Sequence, residues 1–159
     1  MCALSIKKGR KQKGLAAVEA TLVLPLLLLL LLAIGEFGRV LYQYATLTQA
    51  LRGGALAIDR MGTYVDNHLT RAEKENTVKN IIVYGNALGT GNPVLPGLSK
   101  ADVIFSGIYE MPAESGNYYS DVSVSYSWQP IFGKEFNTFV AGVISLDFPL
   151  DTSMTVRVK

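Results

Sequence analysis

Ala20 to Ile34 reads ATLVLPLLLLLLLAI, fifteen residues without a charge, and it comes after a cationic leader of Lys7, Lys8, Arg10, Lys11 and Lys13. A run of that kind has to leave water, so it decides the architecture. Extended back through Val18 and Ala17 to Leu15, it encloses one acid, Glu19, and reaches 20 residues. At about 1.5 Å of rise per helical residue this covers about 30 Å, the thickness of a bilayer hydrocarbon core. The expectation is a single membrane pass.

Charge is distributed to match. The first 13 residues hold five of the 15 Lys and Arg and none of the 13 Asp and Glu. The chain beyond Lys13 therefore has ten basic against thirteen acidic residues, a net charge of −3. Basic residues stay on the cytoplasmic side, so the leader is expected inside and the remainder exported. Nucleic acid is not an expected partner, because the only basic cluster abuts the apolar run. The single cysteine, Cys2, lies in the leader and cannot close an internal disulfide.

Two kinds of processing fit the N-terminus. An ordinary secretory signal would end at a small-residue site, and Ala33-Ile34-Gly35 supplies one, which would release a globular protein after Gly35. An uncut, membrane-anchored domain is a further alternative. Against simple secretion stands Glu19, since a carboxylate inside an apolar segment costs about 2.5 to 3.5 kcal/mol on insertion scales and calls for a partner. Pro25 removes one backbone hydrogen bond and should bend the helix.

The segment Gly14-Leu15-Ala16-Ala17-Val18-Glu19 resembles the processing site of type IV prepilins and pseudopilins. More narrowly, Lys13 to Ala57, KGLAAVEATLVLPLLLLLLLAIGEFGRVLYQYATLTQALRGGALA, resembles the N-terminal half of the TadE-like family, pseudopilins of the tight-adherence (Flp) pilus machinery. The matching pieces are Gly14, Ala17-Val18-Glu19, Leu24-Pro25-Leu26, Glu36-Phe37-Gly38-Arg39 and Ala50-Leu51-Arg52-Gly53-Gly54-Ala55. The ending SMTVRVK is similar to that family's last strand. The resemblance implies a prepilin peptidase cutting between Gly14 and Leu15, assembly through Glu19 and Pro25, and other pilins or pseudopilins as partners. It also implies an inner-membrane protein with its N-terminus in the cytoplasm.

Beyond the membrane, Glu36 and Arg39 mark the outer interface and, three residues apart, can pair. Phe37, Val40, Tyr44, Leu47, Leu51, Ala55 and Ile58 advance in steps of three and four, the stripe of one helical face. The helix is therefore expected to run on to about Ile58. Gly53-Gly54 would weaken it by about 1 kcal/mol each relative to alanine unless close packing uses the missing side chains. Asp66 is the expected N-cap of a second helix ending at Tyr84-Gly85, with a turn-rich loop from there to Ser99. That loop lacks the Gly-Lys-Ser/Thr ending of a phosphate-binding loop.

Strands are expected at Val103–Tyr109, around Val122, Val124, Tyr126 and Trp128, which alternate with Asp121, Ser123, Ser125 and Ser127, and at Gly142–Phe148 and Met154–Val158. The fold class is α+β and pilin-like. A long N-terminal transmembrane helix continues into a small head with a second helix and an antiparallel β-meander that covers the stripe. The expected domains are a leader (1–14), a membrane helix (15–35) and an exported head (36–159). Catalysis is not expected, because His68 is the only histidine and no nucleophile or metal-ligand motif is present; neither a cofactor nor a metal is expected.

Overall fold

Helix α1 runs without interruption from Lys13 to Thr63 and contains Pro25. This is a computed structural model, and it describes residues 13–63, 70–131, 133–138 and 142–158. The chain divides between Gly38 and Arg39 into two compact units. The first holds the apolar part of α1, in which no residue of the most apolar stretch is buried. Leu22, Leu26, Leu31 and Ile34 all lie open. With no polar face and no covered face, this is a helix long and apolar enough to cross a membrane. Thr21 keeps its hydroxyl satisfied inside it by donating to the Ala17 carbonyl at 2.6 Å.

The second unit begins at Arg39 and contains the rest of α1, helix α2 (Arg71–Tyr84) and five strands. Strands β1 (Val103–Glu110), β2 (Tyr118–Ser127) and β5 (Pro149–Val158) form an antiparallel sheet in the order β1-β2-β5. Strands β3 (Glu135–Thr138) and β4 (Gly142–Ser145) pair only with each other. The expected continuous meander is thus divided. The third strand of the main sheet is β5, which matches all ten residues of β2 from Tyr118↔Val158 to Ser127↔Pro149. The Gly142 segment, at four residues, is too short for that register and closes a separate hairpin.

Alternation explains the sheet's two faces. Ser120, Val122, Val124 and Tyr126 are buried, whereas the residues between them are exposed or half-buried. Their inward side chains meet Leu47, Leu51 and Ile58 of α1, Val78, Ile82 and Val83 of α2, and Leu95, Leu98 and Trp128 in one core. The Tyr126 hydroxyl donates to the Pro96 carbonyl at 2.8 Å, tying the loop after α2 to the sheet.

The buried stripe of α1 is shifted from the expected one. Leu47, Leu51, Ala55 and Ile58 are buried and Val40 is half-buried against the core, but Phe37 and Tyr44 are exposed. At about 100° per residue, Phe37 and Tyr44 fall on one flank of the line through Val40, Leu47 and Ile58, while Gln43 falls on the other. The covered side takes in Gln43, which is buried. Angular position alone does not separate exposed from buried residues, because Leu51 and Ala55 lie on the same flank as Phe37 and Tyr44 and are buried.

Helix α2 starts later than expected. Its N-cap is Thr70, whose hydroxyl accepts from the Glu73 N–H at 3.3 Å while the Glu73 carboxylate accepts from the Thr70 N–H at 2.7 Å, a reciprocal capping box. Asp66 lies outside the described residues. The helix ends as expected at Gly85, left-handed at φ 72°, whose N–H donates to the Ile81 carbonyl.

The adjacent glycines of α1 differ. A Cβ on Gly54 would stand 2.5 Å from Ile82 Cγ1 and 2.7 Å from its Cδ1, so α2 packs onto the bare backbone there. At Gly53 the nearest atom would be 3.7 Å away, an ordinary contact. Gly53→Ala should therefore stabilise the head by up to about 1 kcal/mol through helix propensity. Gly54→Ala should lose that gain to the clash and lower the melting temperature. Thermal unfolding of the full chain in detergent checks both signs, and equal stabilisation by the two changes would refute the close approach.

Candidate functional site

The residues expected to act in processing and assembly all lie on α1. Gly14 and Leu15 fall in its first turn, Glu19 is exposed about one turn further on, and Pro25 lies within the apolar run. Val18, Leu22 and Leu26 flank these positions and are exposed as well, so this part of the helix presents bare apolar surface with one carboxylate. Such a surface can do two things: dissolve in lipid, or pack against other apolar helices. Glu36 is buried and Arg39 half-buried.

Polar chemistry in the head is gathered on the open face of the sheet, where sequence reasoning had not placed a cluster. The Asp121 carboxylate accepts from Thr155 Oγ1 at 2.6 Å and from Tyr109 Oη at 2.8 Å, joining all three strands through one side chain. Ser106 adds a second tie, accepting from the Asp121 N–H at 2.9 Å and donating to its carbonyl at 3.0 Å. This pairing sits where the β1–β2 register shifts between Phe105 and Ile108. Gly107, at φ 81°, permits the bulge, and the Arg71 guanidinium covers it so closely that a Cβ there would be 2.5 Å from Nη2.

Electrostatics derive from these bonds. The Thr155 hydroxyl first and the Tyr109 hydroxyl second hold the Asp121 carboxyl below the ordinary carboxylate range. The same bond to Asp121, more than burial, pushes the Tyr109 hydroxyl up. Each carboxylate oxygen accepts one bond, so the group ties β1, β2 and β5 together at one register position. Among the described residues, no group of three His, Cys, Asp or Glu could hold a metal ion. The sequence signal for this clamp was an acid in an alternating strand; its threonine and tyrosine partners become visible only once the register is known.

With this geometry in place, comparison with known proteins is informative for the N-terminal part. The family model described as TadE-like protein matches residues 14–56. This segment is similar to the TadE-like family. The TadE-like match includes Gly14, Leu15, Glu19, Pro25, Glu36 and Arg39, together with the Gly53-Gly54 pair, and bears out the resemblance read from that stretch. The ending SMTVRVK, which forms much of β5, lies outside it. No curated protein and no solved structure matches the chain.

The clamp predicts a pH dependence. Because folding lowers the Asp121 pKa, its contribution is complete above the unfolded value of about 3.9 and is lost as pH falls through the lower folded value. Asp121→Asn should thus be less stable than wild type at neutral pH, with the gap narrowing as pH is lowered through the carboxylate range. Thermal unfolding of both proteins at matched pH values measures it; a gap that stays constant or widens on acidification contradicts the clamp.

Proposed function

We propose that this chain is a pseudopilin of the TadE type that acts in assembly of a tight-adherence (Flp) pilus or a related secretion complex. The observation that carries the reading is the TadE-like helix itself, apolar and uncovered through its span, with Glu19 one turn inside it. In this role it is not an enzyme. Its work is packing: the helix enters a bundle of other pilin or pseudopilin helices and the head is carried on its outer half.

The partners in this reading are the membrane, a prepilin peptidase and other pilins. The protein crosses the inner membrane once, N-terminus inside and head outside, as the leader's charge favours. Cleavage after Gly14 leaves Leu15 with a free amino group, and Glu19 of the same or a neighbouring subunit balances it and sets axial register. The uninterrupted course of α1 through Gly35 supports retention of the helix over release by signal peptidase at that position.

Two experiments test the reading. Gly14→Trp should leave a full-length precursor in the membrane when the matching peptidase is present. N-terminal sequencing should give Leu15 for wild type; a mature chain beginning at Glu36, or equal shortening of the variant, overturns the processing step. Glu19→Ala should insert at normal abundance, because removing the carboxylate lowers the insertion cost, yet fail to crosslink to pilus partners in cells. Normal crosslinking and normal piliation in that variant would reduce Glu19 to an interfacial residue.

A further inference from the structure

The two edges of the main sheet are finished differently. On β1 the register shifts between Phe105 and Ile108, and the Arg71 guanidinium covers the bulge at Gly107 while donating to the Ser106 carbonyl at 3.4 Å. A bulge and a charged group laid over it both keep another strand off an edge. Strand β5 is regular instead. Its ten pairs with β2 run from Tyr118↔Val158 to Ser127↔Pro149 without a shift, and its one proline stands at the first position, where a ladder tolerates it. Among the described residues no strand lies on its other side, so alternate residues of β5 turn their N–H and C=O groups away from β2 with no strand to receive them.

Beside this edge a cleft of about 480 Å³ opens between β5 and the flank of α1, within the range of about 300 to 1,000 Å³ that holds ligands. Arg52, Leu56 and Asp59 line it from α1, Met154 and Val156 from β5. Its floor is apolar: Leu56 is 60% exposed, and Met154 and Val156 are half-buried. A strand added to β5 would turn every second side chain into this cleft. In a neighbouring cleft Tyr44 meets Asp151–Ser153, so α1 and β5 advance in the same direction, and Arg52 stands at the Met154 end while Asp59 stands at the Arg157 end. The Arg157 guanidinium donates to Asn117 Oδ1. Among the described residues Arg52 has no ion-pair partner. All of these residues belong to the second unit.

We propose that the free edge of β5 is a docking site for an extended segment of another protein, apolar at alternate positions and carrying a carboxylate that reaches Arg52. Backbone groups of the segment continue the ladder, its apolar side chains cover Leu56, Met154 and Val156, and its carboxylate pairs with the open cation. A second copy of this chain meets the charge less well. Its β5, in an antiparallel register centred on Met154, would set Asp151 against Arg157 on the open face. Each Arg52 stands at the Met154 end of its own cleft, however, so the two guanidinium groups would approach one another at the same axis, a like-charge contact.

The test uses the full chain in detergent and a capped, fluorescent peptide of alternating threonine and valine, as long as β5, whose central valine is replaced by glutamate. Binding is followed by fluorescence anisotropy against empty micelles and located by amide hydrogen exchange. The peptide should bind, slow exchange in β5 and leave β1 unchanged. Replacing its glutamate by lysine should weaken binding about tenfold, the effect expected of one close charge pair. N-methylation of the amides on its ladder-forming edge should abolish binding. Arg52→Glu changes an exposed side chain outside the core and should invert the preference, so that the lysine peptide binds better than the glutamate one. Absence of binding, equal binding of the two peptides to wild type, an uninverted preference in Arg52→Glu, or protection elsewhere than β5 overturns the proposal. So does a disulfide-linked dimer formed without peptide by the chain carrying Cys2→Ser and Met154→Cys, because it identifies a second copy as the occupant.

Discussion

One helix has to satisfy two surroundings, and the rest of the chain is arranged around that constraint. From Ala20 to Ile34 α1 carries no charge on any side, so its backbone groups bond within the helix and its side chains suit lipid or other helices. From Val40 onward only one side is covered, and that side supplies Leu47, Leu51 and Ile58 to the core of the head. A three-stranded sheet and a 14-residue helix would leave their inward faces open without it. The same helix that is apolar enough to cross a membrane thus also completes the core of the head. At Gly54 this dependence is sharpest, because α2 reaches the backbone of α1 through the space a side chain would occupy.

The head is also held on the far face of the sheet, where the Tyr109 and Tyr119 rings lie 6.4 Å apart and the other ties are polar. There Asp121 binds Thr155 and Tyr109, and Ser106 binds the Asp121 backbone across the bulge. Charge-assisted bonds of this kind contribute more than neutral ones, and they fix register, which a sheet with one solvated face needs. Arg71 extends the arrangement to α2 by donating to the Ser106 carbonyl at 3.4 Å, so helix, bulge and strands are tied at one corner.

Local pattern made much of this legible. The apolar run, the long amphipathic continuation and the alternation from Val122 to Trp128 have periods that the sequence displays directly, and the capping glycine at Gly85 is a single-residue signal. What escaped was set by competition between equivalents or by distance along the chain. Thr70 won the start of α2 because Glu73 completes its box. Gln43 took a place on the covered face because angular position on α1 outweighs polarity there. The detached hairpin and the Asp121 clamp depend on which strand pairs with β2, a contact between residues more than thirty apart for Asp121 and Thr155, and no short window contains it. On the candidate site the division is similar: Gly14, Glu19 and Pro25 stand in one contiguous motif, whereas the partners of Asp121 are brought to it only by the sheet's register.

The sheet also carries a hazard at its edge. Strand β5 is an edge of ten residues, long enough to pair with another chain. Its outward charges even suit a copy of itself: in an antiparallel register centred on Met154, Asp151 of each chain would face Arg157 of the other. Such a pair is related by a two-fold axis normal to the sheet, and that axis reverses every direction lying in the sheet plane. The covered part of α1 tracks β5 along the sheet, from the level of Thr152 at Tyr44 to the level of Thr155 at Ala55, so the two helices would run in opposite directions.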